Sequence, residues 1–169
     1  MNSGEHVPLV SIVMGSESDL AIMKESKAVL ASFEVANEMR VISAHRNPEG
    51  IRDYAINAES RGIKIIIAAA GKAAHLAGVI ASMTPLPVIG VPMTTSDLGG
   101  LDSLLSMVQM PGGVPVATVA IGSSGAKNAA LLAVQILALN NEALMGKFKK
   151  YKCKMAEDVK AADERVRNS

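Results

Sequence analysis

The amino-acid sequence predicts an α/β protein in which a doubly wound, five-stranded parallel sheet is followed by a C-terminal helical arm. Strand-like and helix-like patterns alternate along the chain, and the strand-like segments are continuous apolar runs. Such runs, separated by helices, are typical of a parallel sheet covered on both faces. No linker or repeat interrupts the pattern. We therefore expect a single domain over residues 1–169, with a core over about 7–140 and a final helix over about 142–166.

In the first half of the chain, strand and helix signals follow one another closely. The run VPLVSIVMG predicts the first strand, and Leu20, Met23 and Leu30 recur after it at helical spacing. Asn47 followed by Pro48 is typical of a helix cap with proline in the first turn. The predicted elements are a strand at 7–15, a helix at 18–33, a strand at 37–43 and a helix at 48–62.

The second half continues the alternation with more apolar segments. The runs KIIIAAAG, LPVIGVPM and VPVATVAIG predict the third, fourth and fifth strands, and helical patterns lie between and after them. The predicted elements are a strand at 64–71, a short helix at 73–83, a strand at 86–93, a helix at 101–109, a strand at 114–122 and helices at 126–140 and 142–166.

The helix predicted after the fifth strand, AKNAALLAVQILALN, is apolar nearly all the way round. Only five charged residues occur between Ile63 and Asn140. A surface helix of a monomer carries a polar face, whereas a helix that is apolar all round is buried on every side. Such a helix is either central in the fold or covered by other subunits. Because so small a sheet cannot cover both faces of an outer helix, we expect a homo-oligomer.

Composition argues against several classes of function. The net charge is +1 and aromatic residues make up 2% of the chain, so neither nucleic acid nor an acidic membrane is an expected partner. Cys153 is the only cysteine, so no intramolecular disulfide can form, as is usual in a reducing cytoplasm. The N-terminus has no basic region before its apolar run, and prolines and glycines interrupt every long apolar stretch. We expect a soluble, cytoplasmic protein.

The loops after the first three strands carry the polar residues that a ligand site needs. In MGSESDL, Ser16, Ser18 and Asp19 surround a helix start, where they serve either as simple caps or as part of an anion or sugar site. In VISAHRNP, His45 can exchange protons near neutral pH, and Arg46 is a forked cation suited to phosphate.

The third such loop, AAAGKAAHLAG, spans residues 68–78 and has small residues that allow a ligand to approach the backbone. His75 is expected just inside the following helix, where it either contributes to a site or simply packs. In open α/β sheets, ligands bind at the carboxyl ends of the strands, so the three loops are expected to converge there.

The sequence does not indicate a metal site or a nucleophilic serine. His6, His45 and His75 have no metal-ligand spacing with one another or with Cys153, so no metal is expected. No glycine-flanked serine of the nucleophile-elbow type occurs.

Taken together, the loop sequences closely resemble the PurE family of purine biosynthesis, and most closely its class I. The segments that carry the resemblance, in order and spacing, are IVMGSESD, VISAHRNP, GKAAHLAG, LPVIGVPM, LDSLLSMVQMPGGVPVATVAIG and AKNAALLAVQIL. The resemblance covers nearly the whole chain. It implies a flavodoxin-like three-layer sandwich, a homo-octamer, and an enzyme that converts N5-carboxyaminoimidazole ribonucleotide to 4-carboxyaminoimidazole ribonucleotide with no cofactor.

The resemblance also implies a set of site residues. His45 is the expected acid-base catalyst, and residues 109–113 of a neighbouring subunit are expected to line the site. The residues expected to bind substrate are Ser16, Ser18, Asp19, Ser43, Ala44, Arg46, Gly71, Ala73, Ala74, His75 and Leu76.

The chain departs from the family pattern in its third loop. Ala69 and Lys72 stand where glycines are typical, and Ala77 stands where proline is typical. Lys72 brings a long cation into the loop, and it is compatible with contacts to solvent, to a neighbouring subunit or to a substrate anion. Two alternatives to the mutase also stay open, a class II carboxylase that uses free carbon dioxide and a non-catalytic nucleotide-binding module. SAHR together with AAHL favours class I.

Overall fold

The computed structural model describes residues 7–169, and His6, with the rest of the MNSGEH segment, lies outside the described residues. The chain divides into two compact units, the first ending at Ala133 and the second comprising Val134–Ser169. The strands are β1 (Val10–Met14), β2 (Asn37–Val41), β3 (Ile65–Ala70), β4 (Val88–Pro92) and β5 (Ala117–Thr118). The α-helices are α1 (Leu20–Ser32), α2 (Pro48–Asn57), α3 (Leu76–Ala81), α4 (Leu101–Val108), α5 (Ser123–Ala138) and α6 (Glu142–Arg167).

All five strands are parallel, in the spatial order β2-β1-β3-β4-β5. This is the doubly wound order of flavodoxin-like proteins, in which the strand sequence reverses between β1 and β3. The predicted fold class is confirmed. Strands β1, β3 and β4 are central and every residue in them is buried. Apart from Ser11 they carry no polar side chain, as expected of parallel strands covered on both faces.

Each face of the central strands packs against helices. Successive side chains of a strand point to opposite faces, so Val13, Ile66 and Ala68 share one face. They belong to a buried cluster that includes Ile51 of α2 and Met107 of α4. On α1, which contacts β1 and β2, Met23, Ser26 and Leu30 are buried, and the Ser26 hydroxyl donates to the carbonyl of Ala126, at 2.6 Å.

Several predicted elements have different bounds, and the helix predicted over 48–62 already ends at Asn57. Two of the differences have local physical reasons. The strand predicted over 114–122 is reduced to the two residues of β5, which pairs with β4 alone and follows Pro115, a residue without an N–H to donate. The helix predicted from residue 73 begins at Leu76, because Lys72 has a left-handed backbone (φ 58°) that interrupts the helical path.

The second unit begins within α5 and continues into α6. Asn141 caps α6, because its side chain accepts from the backbone N–H of Leu144 at 3.0 Å. Charged pairs four residues apart, such as Lys154 and Asp158, line the exposed surface of α6. In the described part of the chain, no helix is long and apolar enough to cross a membrane.

Candidate active site

The carboxyl ends of β1 to β4 surround a cavity of about 530 Å³. Each strand is followed by a loop that contributes to the cavity wall, as expected for an open parallel sheet. The lining residues, in loop order, are Gly15, Ser16, Ser18 and Asp19 after β1; Ser43, Ala44, His45 and Arg46 after β2; Ala70, Gly71, Lys72, Ala73 and Leu76 after β3; and Met93, Thr94, Thr95 and Ser96 after β4.

The loop after β1 presents hydroxyl groups beside one carboxylate. The Ser16 side chain caps a short 3-10 turn and accepts from the Ser18 hydroxyl at 2.9 Å. The Ser18 hydroxyl also lies 3.3 Å from the Asp19 carboxylate. Burial raises the pKa of Asp19 above its ordinary value, against the smaller opposing effect of the Ser18 hydrogen bond. The capping interpretation of Ser16 is therefore correct, and the same hydroxyl lines the cavity.

The loop after β2 places the side chain of Arg46 at the cavity wall. The Arg46 guanidinium donates through Nη2 to the carbonyl oxygen of Gly15 at 2.8 Å and through Nε to the Ser43 hydroxyl at 3.3 Å. Asn47 ends the loop, where its side chain accepts from the backbone N–H of Gly50 and caps α2. Because two of its nitrogen atoms are hydrogen-bonded and the next residue is held by the cap, the exposed guanidinium is pre-positioned for an anion.

His45 and His75 are joined by a hydrogen bond between His45 Nε2 and His75 Nδ1, at 3.0 Å. The two rings meet edge to face, with centroids 5.1 Å apart. His75 occupies the position before the first residue of α3, and both side chains are exposed. The placement of His75 just inside the helix was therefore wrong. The late start of α3 leaves its ring free to meet His45.

Lys72 lies in the loop after β3 and reaches the loop after β4. Its ammonium pairs with the Asp97 carboxylate at 2.6 Å, and its backbone N–H donates to the hydroxyl of Ser103, at 3.0 Å. Asp97 raises the pKa of Lys72, first through the hydrogen bond and then through its charge. The sequence was compatible with contacts of Lys72 to solvent, to a neighbouring subunit or to a substrate anion, whereas the structure shows an ion pair within the same chain on a largely exposed side chain.

The structure brings together most of the predicted site residues. Ala74 is buried in the core cluster behind the loop, and His75 reaches the site through His45. The remaining predicted residues line the cavity, and they are Ser16, Ser18, Asp19, Ser43, Ala44, His45, Arg46, Gly71, Ala73 and Leu76. Sequence reasoning missed the loop after β4, with Thr94, Thr95 and Ser96. Its position after the fourth predicted strand was the signal that could have found it, because ligands bind at the carboxyl ends of strands in open parallel sheets.

The groups around this cavity are of several chemical types. It combines a fixed cation, several hydroxyl groups, a carboxylate with a raised pKa and an imidazole pair beside small apolar side chains. Among residues 7–169, no group of three or more His, Cys, Asp and Glu side chains is arranged to hold a metal ion. The arrangement can bind an anionic, hydroxyl-bearing molecule and can give or take a proton next to it.

Fold and site together define a flavodoxin-like α/β protein with a polar small-molecule site at the carboxyl edge of its sheet. Residues 9–158 match the family described as AIR carboxylase. The chain belongs to this family, and the resemblance to PurE proteins is confirmed.

Relatives with curated names cover most of the chain. A protein of Pyrococcus abyssi named N5-carboxyaminoimidazole ribonucleotide mutase is 58% identical over 154 residues, which are 91% of this chain and 85% of the relative. A protein of Thermotoga maritima with the same name is 53% identical over 95% of this chain and 92% of its own. The crystal structure of PurE from Treponema denticola superposes with a TM-score of 0.84 at 28% identity, covering 94% of this chain and 98% of the other.

Proposed function

We propose that the protein is an N5-carboxyaminoimidazole ribonucleotide mutase, an isomerase that moves a carboxylate from N5 to C4 of the aminoimidazole ring. The observation that carries this proposal is the position of His45 and Arg46 side by side in one cavity, with His45 bonded to a second imidazole. The names of the similar proteins from Pyrococcus abyssi and Thermotoga maritima support the choice of reaction.

The reaction needs one proton to be given and one to be taken. The bond between N5 and the carboxylate carbon breaks, carbon dioxide forms, and His45 gives a proton to the departing nitrogen. The C4 carbon then attacks carbon dioxide, a carbon–carbon bond forms, and C4 loses its proton to His45. The imidazole ends in the protonation state in which it began, so one histidine next to both atoms is sufficient.

Three polar residues account for binding of the ribonucleotide. Arg46 binds the phosphate, because its guanidinium is permanently charged and offers paired hydrogen-bond donors. The Ser16 hydroxyl adds a donor at the same end. Asp19 takes the sugar hydroxyls, since its carboxylate would repel a phosphate. Anchoring the substrate at this distance from the reacting ring holds N5 and C4 in register with His45.

The wall near the imidazole pair suits a small neutral intermediate. Carbon dioxide is free between the two bond changes, and a dry site delays its escape. Ala70, Ala73 and Leu76 line the cavity on the side of the loop that carries His75. The two alanine methyl groups leave room for carbon dioxide, and none of the three apolar side chains brings a competing nucleophile.

The proposal includes a cytoplasmic homo-octamer. Leu98, Leu101, Leu105 and Val108 recur at helical spacing on and just before α4, and all four side chains are exposed. Leu139, after the apolar α5, is 74% exposed. Subunit contacts would cover these side chains and would bring residues 109–113 to a neighbouring site. Light scattering should give a mass far above 17.6 kDa, and a stable monomer at micromolar concentration would contradict the octamer.

The decisive experiment follows the carboxylate carbon. The protein is mixed with N5-carboxyaminoimidazole ribonucleotide labelled with ¹³C in its carboxylate, with and without unlabelled bicarbonate. A mutase forms 4-carboxyaminoimidazole ribonucleotide without added bicarbonate and keeps the label. A class II carboxylase needs aminoimidazole ribonucleotide and carbon dioxide, and therefore forms unlabelled product. A nucleotide-binding module binds the substrate and forms no product, and either of these two results would overturn the proposal.

A further inference from the structure

The Lys72–Asp97 ion pair joins two of the loops that form the cavity. Lys72 lies in the loop after β3, and Asp97 lies in the loop after β4, directly after the lining residue Ser96. The ammonium and carboxylate are 2.6 Å apart, and their side chains are 69% and 59% exposed, respectively. The pair therefore links the loops on their solvent side.

Both loops are already anchored at their bases on α4. The Lys72 N–H donates to Ser103, whose side chain is fully buried. The Thr95 hydroxyl donates to the Asp102 carboxylate at 2.8 Å and accepts from the backbone N–H of Gly100. With the bases anchored, an opening between the loops would have to occur at their outer ends, where the ion pair lies.

The backbone at Lys72 makes a side chain there unfavourable. Its φ of 58° falls in the left-handed region, which glycine adopts freely and a residue with a Cβ does not. A lysine at such a residue calls for a compensating role, and the contact that its side chain makes is the one with Asp97.

We propose that Lys72 and Asp97 are positioning residues whose ion pair holds the loops after β3 and β4 together and thereby slows the escape of carbon dioxide during the reaction. The inference rests on the proposed function, because carbon dioxide is free only between the breaking of the bond to N5 and the formation of the bond to C4. Neither residue transfers a proton or contacts the reacting atoms.

The same geometry makes this link sensitive to salt. Both side chains are more than half exposed, so dissolved ions screen their attraction. The fraction of turnovers that lose carbon dioxide should therefore rise with ionic strength in the wild-type protein. It should be insensitive to ionic strength once the pair is removed.

The test measures how much label the product keeps when ¹³C-carboxylate substrate reacts in excess unlabelled bicarbonate. Lys72→Gly removes the ammonium and the backbone strain together, whereas Asp97→Asn removes the opposite charge and leaves the backbone of residue 72 unchanged. Both should raise the ratio of unlabelled to labelled product, by about two- to fivefold for the loss of one exposed pair. The double variant Lys72→Asp with Asp97→Lys reverses the pair and should restore retention.

A matched control removes a similarly exposed pair elsewhere. Lys154 and Asp158 on α6 are 74% and 65% exposed, and Asp158→Asn should leave label retention unchanged. Unchanged retention in both Lys72→Gly and Asp97→Asn, or no rescue by the reversed pair, would overturn the inference and leave the mutase proposal standing.

A different role for Lys72 gives a different result. If its ammonium binds a substrate anion directly, Asp97→Asn releases it and lowers KM, while Lys72→Gly raises KM and retention stays constant; this outcome also overturns the inference. If wild-type protein forms no product from the labelled substrate, the proposed function fails first, and the inference fails with it.

Discussion

Two polar clusters of the first unit use similar side chains in opposite ways. Beside β1 and β2, the Tyr54 hydroxyl is hydrogen-bonded to Ser11 and donates to Glu38 at 2.7 Å, and Glu38 pairs with Arg61 at 2.5 Å. The guanidinium of Arg61 also lies over the Tyr54 ring, 5.2 Å from its centroid. Tyr54 and Ser11 are buried, so these groups are committed to one another. At the cavity, by contrast, His45 and Arg46 are exposed, although each has a hydrogen-bond partner in a different loop.

The titration behaviour of the two clusters differs accordingly. Burial, with the nearby Glu38 carboxylate, raises the pKa of Tyr54 to about 12. Burial also raises the pKa of Glu38, but hydrogen bonds from Tyr54 and Arg61 outweigh it and hold that pKa below its ordinary value. In the cavity, burial prevails at Asp19 and raises its pKa. A closed network stabilises the charges it contains, whereas an open site leaves a charge partly unsatisfied until a ligand arrives.

The largest expected effect is loss of turnover at the imidazole pair. His45→Asn should lower kcat by at least ~10²–10⁴-fold, because a positioned acid-base group is lost while asparagine stays polar and similar in reach. Thermal stability and ribonucleotide binding, measured by calorimetry, should remain. His75→Asn serves as the comparison, since it removes the ring that orients His45. If His45→Asn kept near wild-type turnover and His75→Asn had none, His75 would be the acid-base residue and His45 the residue that orients it.

The next largest effect is a rise in KM that we expect at Arg46 and not at Arg61. Arg46→Ala should raise KM by roughly 10- to 150-fold, since hydrogen bonds to a charged group contribute ~1.5–3 kcal/mol. Arg61→Ala is the matched control, because it removes an arginine that pairs with Glu38. It should lower the melting temperature and leave KM unchanged. Steady-state kinetics and thermal melts of both variants check this, and an unchanged KM in Arg46→Ala would contradict the phosphate role.

A third prediction concerns the buried network alone. Tyr54→Phe leaves Ser11 without its hydroxyl partner and removes a donor to Glu38. The free energy of unfolding should fall by ~1–3 kcal/mol, as expected when buried polar groups lose a partner. Denaturant titration measures the change, and kcat/KM should stay close to wild type. A large loss of activity without a loss of stability would connect this network to the site.

The smallest effect is a difference in the response to acid. Because the pKa of folded Glu38 lies below its ordinary value, its contribution to stability is present above about pH 4.5 and is lost as the pH falls through the folded pKa. The pKa of Asp19 is raised, so its charged form opposes folding at neutral pH and acid relieves that effect. Glu38→Gln should therefore lower, and Asp19→Asn should raise, the melting temperature at pH 7. Shifts of the same sign would contradict the contrast.

Much of the fold was readable from local patterns. The largely apolar runs of β1, β3 and β4 predicted parallel strands covered on both faces, and Asn47 with Pro48 predicted the start of α2. These signals depend on a few neighbouring residues, so they can be recognised without knowledge of the tertiary structure. The predicted bounds of α3 and β5 were wrong. The left-handed backbone of Lys72 and the missing N–H of Pro115 act at single positions, and hydrophobic periodicity does not detect them.

For the candidate site, the sequence by itself determined which loops carry chemistry, since residues after strands of a parallel sheet converge at one edge. Tertiary structure alone decided the contacts between loops: the bond from His45 to His75, the link from Lys72 to Asp97 and the contribution of Thr94 to the cavity. Each joins residues or loops from different strands. Their distances follow from the order and packing of the strands, which no spacing along the chain encodes.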